Sequence, residues 1–280
     1  MLPLSGCLFT RRKLPMPIVP QVVQTVAPQE LVDQLNSRWD AMKTLRADVQ
    51  IQFTQIKTQE GEAKDYTSFP AIILLRKPRD LRVVGFIPVV RTRMFDMVSN
   101  GQDFTLYLPT KDMAYEGPNA LTHKSANAME NMRPGFFLDS LVVRGMPPED
   151  EYMVRADTET VEDPKRKHLL MFPEYILSIM RRKPDSRELQ PIRVITFHRD
   201  DMLPYEQDLY DDEGNLQTEV TYGLYAKYGD NMFPSTVTIK RPLEGFQAVL
   251  TVQRVVEGGQ LKDDQFQLQI PTETKIQRLQ

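Results

Sequence analysis

The chain has 280 residues, of which 41% are hydrophobic and 26% charged, a globular and not a disordered composition. Its formal net charge of -3 lacks the basic surplus of a nucleic-acid-binding domain, so no nucleic-acid partner is expected. No apolar run reaches the ~18 residues of a helical membrane span, and the single cysteine, Cys7, excludes an internal disulfide and a cysteine-rich metal site.

The N-terminal stretch Leu4-Ser5-Gly6-Cys7 resembles the lipobox of bacterial lipoproteins, in which small residues precede a cysteine whose thiol receives the lipid. The stretch departs from a full signal peptide, which has a basic region and then an apolar one ahead of the cleavage site. Here the basic group Arg11-Arg12-Lys13 follows Cys7. Two readings stand: a lipidated Cys7 with its leader encoded upstream, or an isolated thiol in a tail. Pro15, Pro17, Pro20 and Pro28 then favour extended chain at roughly 3 Å per residue, a tether with a reach of up to ~60 Å. The resemblance implies outer-membrane placement, because Leu8 stands where an Asp favours retention in the inner membrane. Residues 1–28 are therefore expected to be lipobox and tether, and residues 29–280 one folded body.

The body opens with a helix over 29–43. Leu31, Leu35, Trp39 and Met42 fall on one stripe, and Pro28 suits the first helical position. The period then changes from helical to two. Ala47, Val49, Ile51 and Phe53 alternate with Asp48, Gln50, Gln52 and Thr54, which predicts a strand with one dry face. Further strands are expected at 69–77, 81–84, 91–98 and 103–108, with the Asn100-Gly101 hairpin signal between the last two. Residues 129–143 read as partly helical, with Pro134 starting a turn that carries Phe136, Phe137, Leu138 and Leu141. A meander follows at 152–156, 167–172, 175–181, 192–198, 203–210, 216–225, 232–240 and 246–256, punctuated by the turns 211–215 and 229–231. The expected class is α+β, mainly β: one antiparallel sheet with helices packed on one face.

The helix Leu31…Leu35…Trp39 leading into Ala47-Asp48-Val49-Gln50-Ile51-Gln52-Phe53-Thr54-Gln55 resembles the opening of the LolA/LolB-type lipoprotein carriers. The connection Leu75-Arg76-Lys77-Pro78-Arg79-Asp80-Leu81-Arg82 is similar to that family's basic-Pro-basic link. The runs 210–216, 233–235, 239–242 and 261–271 resemble an uncharacterised outer-membrane lipoprotein group of the same fold. The resemblance covers about 29–280 and implies a curved antiparallel half-barrel with helices in its concave face. It also implies an apolar cavity for lipid or for the acyl chains of lipoproteins. Leu35, Trp39, Ile51, Phe53, Phe136 and Phe137 are the expected lining residues.

Gly85-Phe86-Ile87-Pro88-Val89-Val90 is almost wholly apolar between two strands. It is either a strand end packed under the helices or a protruding loop in which Phe86, Ile87, Pro88, Val89 and Val90 touch a membrane, and Pro88 favours a loop tip.

No catalytic pattern emerges, and neither a cofactor nor a metal is expected. His123, His168 and His198 have no metal-ligand spacing. Asp211-Asp212-Glu213 fits a solvated turn better than a calcium loop, and His198-Arg199-Asp200-Asp201 fits a strand-to-turn junction better than acid/base chemistry. Arg181-Arg182-Lys183 and Arg11-Arg12-Lys13 are candidates for anionic headgroups, at ~1 kcal/mol per charge. The fourteen methionines suit either an adaptable cleft or ordinary core filling. The expected function is a non-enzymatic, lipid-anchored protein on the periplasmic side of a bacterial outer membrane. Its expected role is binding lipid or acyl chains in lipoprotein sorting or envelope maintenance. The alternative is an interaction subunit of an envelope complex, with a protein partner.

Overall fold

The computed structural model describes residues 22–57, 61–119, 135–162 and 169–279. Cys7, Arg11-Arg12-Lys13, His123 and His168 lie outside the described residues. Two α-helices are described, α1 (Pro28–Ala41) and α2 (Gly135–Leu141). The strands of the first half are β1 (Thr44–Lys57), β2 (Glu62–Asp65), β3 (Phe69–Arg76), β4 (Asp80–Phe86), β5 (Arg93–Ser99), β6 (Asp103–Leu108) and β7 (Met113–Pro118). Those of the second half are β8 (Glu151–Glu162), β9 (Leu169–Arg182), β10 (Leu189–His198), β11 (Pro204–Tyr210), β12 (Leu216–Tyr222), β13 (Tyr225–Tyr228), β14 (Asn231–Pro234), β15 (Thr236–Arg241), β16 (Phe246–Glu257) and β17 (Lys275–Arg278).

Fifteen of these strands form one sheet in the order β17-β7-β6-β5-β4-β3-β1-β16-β15-β12-β11-β10-β9-β8, with β2 pairing the far end of β1. The sheet curves without closing, a mainly β half-barrel with few helices. Two meanders meet where β1 lies against β16, from Leu45 opposite Glu257 to Gln55 opposite Phe246. A bulge at Asp48/Val49 interrupts that ladder, and bulges increase local twist and bend the strand that carries them.

Alternation along β1 sets the two faces. Leu45, Ala47, Val49 and Ile51 are fully buried on the helix side, and register places Leu75, Ile73, Ala71 and Phe69 of β3 beside them. The row continues through Val83, Met97, Leu250, Val237 and Val220. Each fully buried aliphatic side chain contributes about 1.5–3 kcal/mol relative to an exposed one, so a row of this length fixes register.

Helix α1 starts as the sequence suggests. Pro28 sits at its first position, after an extended Ala27 with no side-chain cap. Arg38 Nη1 donates to the Met202 carbonyl at 2.5 Å. The last residues of the expected tether are held too: Gln24 N donates to Arg199 O at 2.7 Å, and Arg199 Nε returns a bond to Gln24 O at 3.0 Å.

Four expectations are corrected. Residues 169–172 and 175–181 belong to one strand, β9, with 167 and 168 outside the described residues, and Pro173 lies where its ladder to β10 has ended at Glu174. There Arg199 N donates to the Pro173 carbonyl at 2.9 Å, a bond that a proline, lacking only its N–H, can still accept. The expected strands 216–225 and 232–240 each break in two. Between the breaks, β13 and β14 fold back as a separate two-stranded sheet, and Gly223 N bonds Thr236 O across the gap at 2.9 Å. Strands β2 and β7 were not anticipated. The C-terminal stretch corrects the expectation of a purely antiparallel sheet, for β17 pairs with β7 in parallel and makes the sheet mixed.

That stretch crosses the convex face. Arg76 Nη1 donates to Leu261 O at 3.1 Å and Asp263 at 2.7 Å, and its guanidinium lies 4.7 Å from the Phe266 ring centroid. Arg82 donates to Gln265 O at 2.8 Å while pairing with the fully buried Asp96 at 2.7 Å. Thr274 Oγ1 then bonds Asp112 at 3.0 Å.

Candidate functional site: an aromatic rim on the concave face

Side chains on the concave face form two buried apolar clusters. The larger joins β1, β3, β4, β5, β12, β15 and β16 to Phe137, Leu138 and Leu141 of α2. The smaller joins Leu31, Val32 and Leu35 of α1 to Tyr175, Leu177, Ile179, Ile195, Phe197 and Met202. Of the residues expected to line a cavity, Ile51 and Phe137 are core members of the larger cluster, and Trp39 and Phe53 pack against it. Leu35 lies in the other cluster, because α1 turns that side of its stripe toward β9 and β10. Phe136 lies in α2, and its side chain is outside the described residues. Trp39 is fixed from outside by Lys77, whose Nζ donates to the Trp39 carbonyl at 2.6 Å and sits 3.9 Å from the ring centroid. An open hollow of about 560 Å³ lies elsewhere, between the Tyr228–Asn231 turn and Gln253–Glu257, and includes none of these residues.

At one end the larger cluster becomes aromatic. Phe53 stacks on Phe69 at 6.0 Å, meets Phe246 edge-on at 6.4 Å, and Phe69 meets Phe95 edge-on at 5.8 Å. Gly85 makes room for this rim. A Cβ there would stand 2.3 Å from the Phe95 ring, so only glycine lets the ring lie across the backbone of β4. Phe53 and Phe95 are only half-buried. Periodicity points to Phe53 alone. Phe69, Phe95 and Phe246 come from strand ends whose adjacency is set by register, and their sequence signal is limited to the inward phase of each strand.

The β4–β5 connection leaves the sheet at this same end. Phe86 closes β4, Ile87 and Pro88 are half-buried, and Val89 and Val90 are 98% and 64% exposed. Val89 has φ 70° and Arg91 φ 54°, the left-handed region that a β-branched residue strongly disfavours. The turn is held by Ile87 N to Thr92 O at 2.8 Å and Arg91 N to Ile87 O at 3.0 Å. Exposed Arg91 and Arg93 flank the two valines. Ile56 and Leu243, both partly exposed, belong to neighbouring strand and turn ends, and Ile56 N bonds Gly245 O at 2.7 Å.

Between the clusters runs a buried polar belt. Gln207 Nε2 donates to Asp139 O of α2 at 2.8 Å and to the Tyr222 hydroxyl at 3.2 Å. Arg193, 6% exposed, donates to Gln207 Oε1 at 3.5 Å and to Gly145 O at 3.1 Å. Burial pulls the Arg193 guanidinium down to about 10. Burial likewise holds the Asp139 carboxyl above its ordinary range, against the opposing pull of Arg144, Arg193 and Arg241. The belt fastens α2 and the segment after it to β10 and β11.

The described charged groups weighed in the sequence as binding or catalytic candidates have partners close by. Arg181, Arg182 and Lys183 pair with Asp150, Glu151 and Glu188. Asp211 Oδ1 accepts from Glu213 N and Asn215 N, closing its own turn. His198 ends β10 at a strand-to-turn junction, with Nε2 3.5 Å from Glu174 Oε1. Burial, then Glu159, Asp157 and Glu206, push Glu174 up to about 7, and burial holds His198 below its ordinary value. Among the described residues, Glu159, Glu174 and His198 are the group whose ligand atoms converge closely enough to hold a metal ion.

No protein-family model matches the chain, and no curated protein matches it in sequence. Solved structures do match its fold. A DUF1329 family protein from Desulfovibrio piger superposes with a TM-score of 0.54 at 16% identity, covering 85% of this chain and 95% of that one. A LolA superfamily protein from Nitrosomonas europaea superposes with a TM-score of 0.53 at 14% identity, covering 87% and 99%. The chain therefore has a LolA-like fold.

Proposed function

We propose that this protein is a non-enzymatic component of a bacterial envelope that binds lipid, or the acyl chains of lipoproteins, through the aromatic rim of its concave face. In this reading residues 29–280 form one binding body, and residues 1–28 tether it to the outer membrane through a lipidated Cys7, facing the periplasm. The observation that carries the reading is the coincidence of two features at one end of the sheet. Half-buried Phe53 and Phe95 edge a dry interior, and the exposed pair Val89 and Val90 projects beside them. Each acyl CH₂ buried at such a rim contributes about 0.8 kcal/mol, so a few carbons suffice for measurable capture. Phe86, Ile87, Pro88, Val89 and Val90 are then the membrane-contact loop, with Arg91 and Arg93 placed for anionic headgroups.

A second reading, an interaction subunit of an envelope complex, is favoured by a separate observation. Leu35, Ile51 and Phe137 are all buried, so the described concave face is largely filled by its own helices. In that case the exposed valines meet a protein partner.

Vesicle flotation separates the two. Val89→Ser/Val90→Ser should weaken binding to anionic vesicles by roughly tenfold or more, from ~1.5–3 kcal/mol per fully buried valine. The melting temperature should stay unchanged, because both side chains are solvated. Mass spectrometry of an organic extract should find acyl lipid bound to the wild-type protein. A lipid-free extract together with no vesicle binding would reject the lipid reading and leave the subunit reading.

A further inference from the structure

The face of the sheet turned away from the helices carries chemistry that lipid binding does not use. Tyr175, Leu177 and Ile179 of β9 point to α1, so Glu174 and Ile176 point the other way. Register places Glu174 directly between Asp157 of β8 and His198 of β10. Glu159 lies one pleat further along β8, and Glu206 stands beside Thr196, one pleat from His198. Like charges opposite one another on a sheet face are destabilising, yet this rung brings several together.

We propose that Glu159, Glu174 and His198 form a binding site for one divalent transition-metal ion, Zn²⁺ by its ligand preferences, at the base of the β8–β9 arm. Their ligand atoms all lie within 4.8 Å of one another. Small side-chain rotations bring such a set to the ~2.0–2.2 Å of zinc–nitrogen and zinc–oxygen bonds. One imidazole nitrogen with two carboxylates favours a transition metal over calcium or magnesium, which take oxygen ligands. Three protein ligands leave a fourth position for water.

Two further features prepare the site. Glu174 is 8% exposed, and among the described residues its carboxylate meets no hydrogen-bond donor apart from the His198 edge at 3.5 Å. A carboxyl taken out of water beside other carboxylates either keeps a proton or takes a positive partner, and no described lysine or arginine supplies one. The His198 ring is clamped, with Tyr205 stacked at 3.6 Å on one face and Phe172 at 5.1 Å. Tyr205 is itself fixed, its hydroxyl donating to Asp201 at 2.8 Å. A clamped imidazole presents its edge without further loss of rotamer freedom.

The site has a mechanical meaning. Beyond Pro173, which still accepts a bond from Arg199 N at 2.9 Å, residues 169–172 of β9 form a ladder only with residues 159–162 of β8. An isolated two-stranded ribbon is marginal in water. An ion bound to β8, β9 and β10 ties the root of the arm to the main sheet.

The test uses the full chain without a histidine tag, stripped of metal and titrated with Zn²⁺ against a chromophoric chelator, with Co²⁺ as the spectroscopic probe. Wild type should bind one ion per chain. Glu159→Gln and His198→Gln should each weaken binding by roughly tenfold or more, whereas His123→Gln should not. Zn²⁺ should also slow proteolysis within 157–173 in wild type and not in Glu159→Gln. His198 is packed between rings and its loss threatens the local fold, so exposed Glu159 decides. Absence of one-to-one binding in wild type, or unchanged binding in Glu159→Gln, overturns the site.

Discussion

The two apolar clusters of the concave face use similar residues and end differently. The smaller is sealed: Leu31, Phe197 and Ile195 are at most 1% exposed, and α1 lies across β9 and β10. The larger is sealed only at its centre and finishes in rings that keep part of their surface in water, beside a strained turn with two bare valines. Strain persists where surrounding structure over-determines it, commonly at functional sites. The contrast separates a closed apolar region from one that keeps apolar surface exposed at its edge.

Truncating rings in each cluster breaks that comparison most sharply. Phe197→Ala should cost about 3–5 kcal/mol in urea unfolding, the range for an aromatic removed from a closed core. Phe53→Ala at the rim should cost clearly less while reducing acyl-chain binding, and equal losses of stability would erase the distinction. The belt between the clusters comes next. Gln207→Leu leaves the Arg193 guanidinium and the Asp139 carbonyl without their partner, a loss of about 1–3 kcal/mol. Hydrogen exchange should show α2 loosening before β9 and β10. The smallest effect is in pH dependence. Asp139 holds its proton to higher pH when folded than when unfolded, since burial raises its value. That preference stabilises the fold at acid pH and is lost as pH rises from the ordinary carboxylate range through the raised value. Asp139→Asn should flatten this slope in a stability–pH profile, and an unaltered slope would place the burden on another group.

Much of the architecture was legible because it is local. The period change between Trp39 and Ala47, the Asn100-Gly101 turn and the run of meander strands each follow from neighbours in sequence. The rim was legible only in part. Alternation tells which face Phe69 and Phe246 occupy, but not that β1 stands between them, because that depends on pairing with a distant strand. The same gap hid Glu159, Glu174 and His198, whose spacing matches no motif and whose convergence is a product of register. Leu35 and Trp39 share one helical stripe and still serve different clusters, since a stripe wide enough to bridge two strands has two neighbours. The split at Gly223–Leu224 left only the glycine itself as a signal, since β12 and β13 both read as strand and the close approach of Thr236 that requires Gly223 is set by pairing.

The place of β1 also dictates an order of events. Its Leu45 pairs with Leu75 on one edge and with Glu257 on the other, one partner near in sequence and the other close to the opposite end of the chain. A chain emerging from its N-terminus can build the meander from β1 to β7 at once, while the second edge of its central strand stays bare until β16 exists. Contacts so distant in sequence slow folding and prolong the life of an unpaired, apolar-faced edge. The seam that makes the half-barrel continuous thus forms late, followed in chain order only by the short β17–β7 ladder, and crowding at that stage favours pairing between two chains over completion of one.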